Sequence, residues 1–311
     1  MDIPEDPALE FRAVFGAETK NPYPKSRVEE IQQHRQLLDG ELFFDNLLIS
    51  FAKIKDVPTH YPPHSLSSLK SLHNLIVTSP HLDSLKKHAL LYYLLLDLPT
   101  QQQATAFAQR VLLPQNFMDL ITALHLLDTL SLEDSIRFLT LPAVTPPLPE
   151  KILHLLYKHG NPSLAVTFIS AVQPVLESPE AMETYFQAQL RLSPEAAFLY
   201  SRQAPGYLQA KFLRMLVDYC INTNPAVNAL RLVNLPFTEE EKKVFEEGLK
   251  SMGGEVARDT LVVWQMHQGR VDEALKGTKA AAAKGDAGVS GVDWDALGRG
   301  LEKGLGSRLE V

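Results

Sequence analysis

The side chains that could bind a metal ion or carry protons are ten histidines and one cysteine, Cys220. Histidines in the segment 73–88 are spaced by seven or eight residues, and His154 and His159 are five apart. Two ligands on one helix face need a spacing of about four, as in His-Glu-x-x-His. A single cysteine also excludes an internal disulfide and a multi-cysteine zinc site. We therefore predict no metal, and Cys220 is interpreted as a small buried apolar residue.

Other patterns that could carry catalysis are equally incomplete. The glycine-rich "GRGLEKGLG" near the C-terminus follows no predicted strand and lacks a Lys-Ser/Thr pair, so it does not predict a phosphate loop. "GVSGV" around Ser290 is not set in a strand–turn–helix elbow. The acidic run 239–241 is explained by a helix start, where negative charge is favourable. These features predict a non-enzymatic protein with no cofactor and no small-molecule substrate.

Net charge and hydropathy limit the kinds of partner and environment that the sequence predicts. Lys plus Arg number 30 and Asp plus Glu 37, and a net charge of -7 gives no electrostatic reason to bind a phosphate backbone. The longest apolar run, residues 89–96 within "KKHALLYYLLLDLP", is far shorter than the ~20 residues needed to cross a bilayer. The first residues, "MDIPEDPALEF", do not resemble a secretory signal. The sequence therefore predicts a soluble intracellular protein with no transmembrane segment and no direct nucleic-acid contact.

The sequence predicts that nearly all of the residues considered above lie in helices. From Val28 to the region of Gly277, apolar residues recur at helical spacing, as in the stripe Phe44, Leu47 and Phe51. Strict strand alternation is almost absent. The run 89–96 predicts a helix that is apolar on every side and so must be covered on several sides.

Helix starts and a repeat support this fold class. Four Ser/Asn-Pro pairs place an N-cap residue before a proline at the first helical position: Asn161-Pro162, Ser178-Pro179, Ser193-Pro194 and Asn224-Pro225. Ser131 with Asp134, and Thr238 with Glu241, have the spacing of a capping box. Small residues then recur at intervals of 30, 32 and 32 residues: Ser135, Ala165, Ala197 and Ala229. Such a period predicts an α-solenoid of antiparallel helix hairpins.

These patterns divide the chain into three predicted segments. Residues 1–27 are an irregular, proline-containing arm with a short amphipathic piece, 28–277 are the helical body, and 278–311 are a flexible linker and an amphipathic docking tail. Both end segments carry apolar stripes, and we predict that these bind a partner. The candidate residues are Phe11 and Phe15 in the arm and Trp294, Leu297, Leu301 and Leu305 in the tail.

An ordered series of short motifs adds a family resemblance over roughly residues 35–250. The motifs are Phe-Phe-Asp, Tyr-Pro-Pro, Lys-Lys-His, Leu-Leu-Leu-Asp-Leu and Pro-Glu-Lys-Ile-Leu. In this order they resemble the ELYS-like domain of nuclear pore assembly proteins, in its short fungal form. The resemblance implies an α-solenoid nucleoporin without catalytic residues. Its expected partners are the large solenoid and propeller subunits of the Y-shaped outer-ring scaffold complex, at the nuclear pore complex in the nuclear envelope.

Two other functions fit the composition and the helical pattern. A helical-repeat adaptor of another cytosolic or coat-like assembly would share the fold and bind elsewhere. An α-helical enzyme could assemble its site from scattered His, Asp and Glu residues. The identity of the native partners distinguishes such an adaptor from a nucleoporin. A tightly bound metal or nucleotide would favour the enzyme.

Overall fold

Residues 7–16, 23–99, 101–282, 293, 296 and 298–300 are described by the computed structural model. All regular structure within them is helical, which confirms the predicted all-α fold. The chain forms two compact units, Met1–Ala181 and Met182–Val311. The helical body predicted over 28–277 spans both units, because the helical pattern runs without interruption through the helix that contains this boundary.

The first unit is built from paired helices. After a 3-10 turn at Pro7–Leu9, its helices are α1 Phe11–Phe15, α2 Lys25–Leu37, α3 Phe43–Ser50, α4 Val57–His60, α5 Leu66–Thr78, α6 Ser84–Leu96, α7 Gln101–Arg110, α8 Gln115–Asp128, α9 Leu132–Leu139, α10 Pro149–His159 and α11 Pro162–Val172. Neighbours in sequence pack together, as α8 does with α9 and α10 with α11. This is the pairing of an α-solenoid, and it follows from short connections.

Helix α6 is the centre of the first unit. All residues from His88 to Leu95 are buried, and α6 contacts α5, α7, α8 and α3. The prediction of a helix apolar on every side is therefore confirmed. Burying each large apolar side chain there stabilises the fold by about 1.5–3 kcal/mol. Asp83 is the N-cap residue of α6, and its carboxylate accepts a hydrogen bond from the Lys86 N–H at 2.7 Å.

The second unit has the same construction. Helix α12, Pro179–Leu192, contains the boundary between the two units. The other helices of the second unit are α13 Pro194–Gln203, α14 Gly206–Asn222, α15 Pro225–Val233, α16 Glu239–Met252, α17 Glu255–His267 and α18 Val271–Ala282. Helix α14 packs against α13, α15 and α16, and α17 packs against α15, α16 and α18. Of the repeated small residues, Ser135, Ala165 and Ala197 are completely buried, and Ala229 is partly buried. Their size lets neighbouring helices approach closely.

The predicted helix starts are largely confirmed. All four Ser/Asn-Pro pairs begin helices, and Asn161, Ser178 and Ser193 accept hydrogen bonds from backbone N–H groups of the first turn. The predicted cap at Asn224 is wrong, because this residue adopts a left-handed conformation and its side chain accepts no capping hydrogen bond. The Thr238–Glu241 capping box is also present. The predicted box at Ser131 is wrong: α9 begins there, but the Ser131 side chain accepts no capping hydrogen bond.

The helices do not stop at the predicted segment bounds. Helix α2 begins at Lys25, ahead of residue 28, and α18 continues to Ala282, beyond residue 277. The assignment of arm, body and tail to different roles stays a prediction.

Candidate functional site: a buried polar network and an apolar groove

Three aspartates are buried in the first unit: Asp45, Asp97 and Asp128. Carboxylates are almost never buried without partners, because leaving water costs them several kcal/mol. These residues and their donors form the buried polar network, the group of titratable side chains that most resembles a reactive centre.

Asp128, the last residue of α8, holds the start of α3. Its Oδ1 accepts a hydrogen bond from the Phe43 N–H at 2.7 Å, and its Oδ2 accepts from the Phe44 N–H at 2.9 Å and the Tyr93 hydroxyl at 2.8 Å. Burial raises the pKa of Asp128 to about 7, and the nearby charge of Asp45 adds to the rise, while these three donors act in the opposite direction. The first N–H groups of α3, which have no partner within the helix, are thereby satisfied.

Asp45 forms a second, adjacent clamp. Arg35 of α2 donates to both of its oxygens at 2.8 Å, and the Leu42 N–H donates to Oδ2 at 2.9 Å. The same guanidinium donates to the backbone carbonyl of Tyr61 at 2.9 Å. A bidentate Arg–carboxylate pair is the strongest geometry available to a buried ion pair. It fixes α2 against α3.

Asp97, directly after α6, is the third clamp. Its Oδ2 accepts hydrogen bonds from the hydroxyls of Tyr23 at 2.9 Å and Tyr61 at 2.7 Å. Its Oδ1 lies 3.2 Å from both the Arg27 guanidinium and His125 Nε2. Burial alone would raise the pKa of Asp97, but the hydrogen bonds from His125 and Tyr61 and the charge of Arg27 hold it below its ordinary value.

The network's chemistry is that of a helix clamp. Every oxygen of the three carboxylates has at least one hydrogen-bond donor or cationic partner within the chain, so these groups are used to join helices. Within the described residues, no group of three or more His, Cys, Asp or Glu side chains could hold a metal ion. The network joins α2, α3, α6 and α8.

Three motifs that carry the family resemblance supply members of this network. Phe-Phe-Asp contains Asp45, Tyr-Pro-Pro begins with Tyr61, and Leu-Leu-Leu-Asp-Leu contains Asp97. Sequence reasoning recognised these motifs without giving them a physical role. The signal that could have identified one is the acidic residue inside otherwise apolar helical stretches, since such a residue must find buried donors.

The arm residues Phe11 and Phe15 lie against the first unit. Phe15 is buried and Phe11 is partly exposed, and their ring centres are 6.0 and 5.3 Å from that of His73. His73 Nε2 is 2.8 Å from the backbone carbonyl of Leu9. Burial lowers the pKa of His73. The apolar stripe of the arm therefore packs on its own chain, and only part of Phe11 remains available to a partner.

The tail residues Trp294, Leu297, Leu301 and Leu305 lie outside the described residues. Between them, residues 296 and 298–300 are helical. Asp293 Oδ1 accepts a hydrogen bond from the Ala296 N–H at 2.9 Å, which is the contact of an N-cap. The partner-binding role of the tail stays a prediction.

An apolar groove lies between α15 and α17 in the second unit, with a volume of about 330 Å³. We call it the α15–α17 groove. Its lining includes Ala226, Ala229, Leu230 and Val233 of α15 and Val256 and Val263 of α17. Leu230 is 60% exposed, and Val227, beside the groove, is also exposed. Sequence reasoning missed this groove, because α15 is apolar on more than one side and periodicity alone does not reveal which side is left uncovered.

A second cavity, of about 380 Å³, lies between the end of α2 and α10 in the first unit. Its charged side chains already have partners. Lys158 lies 2.7 Å from Asp39, and Lys151 lies 3.1 Å from Glu41. The cavity therefore presents no unpaired lysine to an anionic ligand.

Within the described ranges, no helix has both the length and the apolar composition needed to cross a membrane. The described residues form an all-α protein of sequentially paired helices. Buried carboxylates join the helices of its first unit, and its second unit has an apolar groove. The family model of ELYS, described as nuclear pore complex assembly, matches residues 41–252. The chain belongs to this family, which confirms the resemblance found in the sequence and implies a role in nuclear pore complex assembly.

A curated relative covers nearly the whole chain. "Uncharacterized protein ely5" of Schizosaccharomyces pombe is 29% identical over 280 residues, which span 89% of this chain and 91% of the relative. The similarity therefore extends on both sides of the family match.

Proposed function

We propose that this chain is a non-enzymatic structural nucleoporin that binds the Y-shaped outer-ring scaffold complex. In this role it supports pore assembly and the transport of protein and mRNA through the pore, and it resides at nuclear pore complexes in the nuclear envelope. The observation that carries the proposal is the family match over residues 41–252. Its partners are large solenoid or propeller subunits of the scaffold.

The chemistry of the described residues supports a structural role. The three buried carboxylates of the first unit hold helices together, and the chain presents helix faces with exposed leucines and valines. A net charge of -7 disfavours direct contact with nucleic acid. Binding through a helix face, with a few apolar anchors surrounded by polar residues, is the mode that such a surface supports.

The tail and arm are proposed as additional contacts. Trp294, Leu297, Leu301 and Leu305 would add apolar anchors, and linked contacts raise the overall affinity through effective concentration. In the arm, the exposed part of Phe11 can serve in the same way, whereas Phe15 is committed to the first unit.

Purification of the tagged full chain from the cells that make it tests the central proposal. We expect scaffold subunits of the nuclear pore to co-purify and to remain after a moderate salt wash, because the contacts are mainly apolar. Recovery of subunits of a different coat or lid assembly would overturn the proposal and favour the adaptor. A stoichiometric bound metal or nucleotide would instead favour an enzyme.

Deletion of residues 278–311 tests the tail. We expect weaker binding to the purified scaffold complex, and a linker of equal length rich in Gly and Ser should not restore it. Phe11→Ala tests the arm with little loss of core contacts, since Phe11 is partly exposed. Unchanged affinity in either variant would remove that segment from the interface.

A further inference from the structure

Four Ser/Thr-Pro dipeptides occur in the chain, and each is a minimal target for a proline-directed protein kinase: Ser79-Pro80, Thr145-Pro146, Ser178-Pro179 and Ser193-Pro194. Such a kinase needs a hydroxyl at the surface, an accessible proline directly after it, and an extended segment that can enter its active site. Burial and backbone conformation therefore determine which of these dipeptides can be modified in the folded chain.

The fold protects all of these dipeptides except the one at Ser178. Ser79 is buried, and its hydroxyl donates to the backbone carbonyl of Ala52 at 3.2 Å. Thr145 is exposed, but the proline after it, Pro146, is buried. Pro194, the first residue of α13, is also buried. A kinase would have to unfold part of the chain to reach any of these sites.

The segment that leads to Ser178 is extended and accessible. Residues 173–177, between α11 and α12, are not helical, and exposed residues alternate with half-buried ones along them. Val175, within this segment, is 78% exposed. Pro179 is exposed and Ser178 is half-buried. A proline disfavours the helical conformation for the residue before it, which keeps Ser178 outside the helix. This dipeptide therefore meets the conditions that the other three do not.

We propose that Ser178 is a phosphorylation site for a proline-directed serine/threonine kinase. In this reaction Ser178 Oγ forms a bond to the γ-phosphorus of ATP, the bond from that phosphorus to the β–γ bridging oxygen breaks, and ADP leaves. The hydroxyl proton passes to the catalytic base of the kinase. The chain is the substrate and supplies only the hydroxyl. This inference does not depend on the proposed function.

The same hydroxyl helps to hold two helices together. It donates to Glu150 Oε2 at 2.7 Å, while Glu150 Oε1 accepts from the backbone N–H groups of Glu177 at 2.6 Å and Ser178 at 3.0 Å. Glu150 lies in the first turn of α10, so these hydrogen bonds tie α10 to the start of α12. The hydrogen bonds from the backbone N–H and the hydroxyl of Ser178 lower the pKa of Glu150, which is therefore charged at neutral pH.

Phosphorylation of Ser178 would break this tie. A phosphoserine carries a charge of about −1.5 to −2 at pH 7, so it replaces the donor to Glu150 with an anion that the carboxylate repels. The N-terminus of α12 favours negative charge, so the phosphate should stay with α12 and separate from α10. The modification would thereby release residues 173–178 from Glu150 while leaving both helices formed.

Incubation of the full chain with ATP and a purified proline-directed kinase, followed by peptide mass spectrometry, tests the site. We expect phosphate on Ser178 and little on the other three dipeptides. Ser178→Ala should remove most of the incorporated phosphate, and Thr145→Ala, at an exposed threonine before a buried proline, is the matched control and should change it little. Short free peptides around all four dipeptides should be phosphorylated, because only the fold protects three of them. Absence of phosphate from Ser178 in the chain, or equally fast modification of Thr145 or Ser193, would overturn the proposal.

Hydrogen exchange followed by mass spectrometry tests the effect of the phosphate. The N–H groups of Glu177 and Ser178 should exchange faster in the phosphorylated chain, because they lose Glu150 as their acceptor, while exchange in the middle of α14 should stay the same. Glu150→Ala should give the same increase without phosphate, and phosphorylation of that variant should add little to it. Equal exchange at residues 177 and 178 before and after phosphorylation would show that the phosphate does not break the tie.

Discussion

The first unit buries three carboxylates in its polar network, whereas the described residues of the second unit bury no charged side chain. Aromatic rings pack in both units: Phe44 stacks on Tyr93 in the first with centres 4.0 Å apart, and Phe186 on Phe212 and Phe237 on Phe245 in the second with centres 4.5 and 4.8 Å apart. Ion pairs of the second unit, such as Arg202–Glu241, lie at a partly exposed margin. Both units therefore have apolar cores with stacked rings, and among the described residues only the first unit adds buried carboxylates to its core.

The two units should therefore differ in how their stability depends on pH. Buried hydrogen-bonded charges fix helix ends in one geometry, but their contribution to stability depends on their protonation. Aromatic packing contributes through buried area and contacts that do not titrate. Stability of the first unit should therefore change with pH more than that of the second.

Leu94→Asp in α6 should have the largest effect. Leu94 is completely buried, so the new carboxylate would be removed from water at a site that packs an apolar side chain. The cost exceeds about 5 kcal/mol, comparable with the whole stability of a domain. We expect loss of cooperative unfolding in a denaturant titration followed by circular dichroism. Leu112→Asp, at a leucine that is 85% exposed, is the control and should change stability by no more than about 0.5 kcal/mol. A soluble, fully helical Leu94→Asp protein would contradict the structure of the first unit.

Phe245→Ala in the second unit should have the next largest effect, and it leaves the net charge unchanged. Phe245 is completely buried between Phe237 and Trp264. Removing such a ring costs about 3–5 kcal/mol. Urea unfolding should show this loss equally at pH 5 and pH 8, because no titratable group is involved. A loss that varied strongly with pH would mean that the contrast between the units is wrong.

Asp128 should make the first unit less stable as pH rises. Its folded pKa, about 7, lies above its ordinary value of 3.8, so the folded state holds a proton that the unfolded state has lost. Its contribution is fully present below pH 3.8 and is lost as pH rises through about 7. Asp128→Asn cannot titrate, so its stability relative to the natural protein should rise by on the order of 2–4 kcal/mol between those limits. Urea titrations of both proteins across this range measure the difference, and parallel curves would refute the assignment.

Two helix caps provide the smallest contrast. Thr238→Ala removes a side-chain cap from α16 and should cost about 1 kcal/mol. Ser131→Ala should cost almost nothing through capping, because Ser131 makes no such bond to α9. Thermal unfolding of both variants measures the pair. Equal losses would show that Ser131 caps its helix in solution.

Local features of the fold could be predicted from the sequence. A proline after Asn161 or Ser193 marks a helix start because the cap and the ring geometry act over a few residues. The burial of α6 could be predicted because its run of apolar residues leaves no polar face. These signals are contained within one helix, so periodicity reveals them.

The polar network and the groove depend on distant residues. Tyr23 meets Asp97 across 74 residues, and Phe43 meets Asp128 across 85, and no local pattern records such a pairing. Whether Leu230 is covered likewise depends on how α17 lies beside it. The arm's apolar stripe was predicted to bind a partner, which stays a prediction, and the contact of Phe15 with His73 within the chain could not be predicted from residue spacing.

The separation between Phe43 and Asp128 also sets an order of events during synthesis. Ribosomes add about 5–20 residues per second, so Asp128 follows Phe43 by roughly 4–17 s. Over that interval the first turn of α3 lacks its acceptor, and Tyr93 emerges without its partner. Contacts between neighbouring helices form early, while the nascent first unit closes only when the end of α8 has been made.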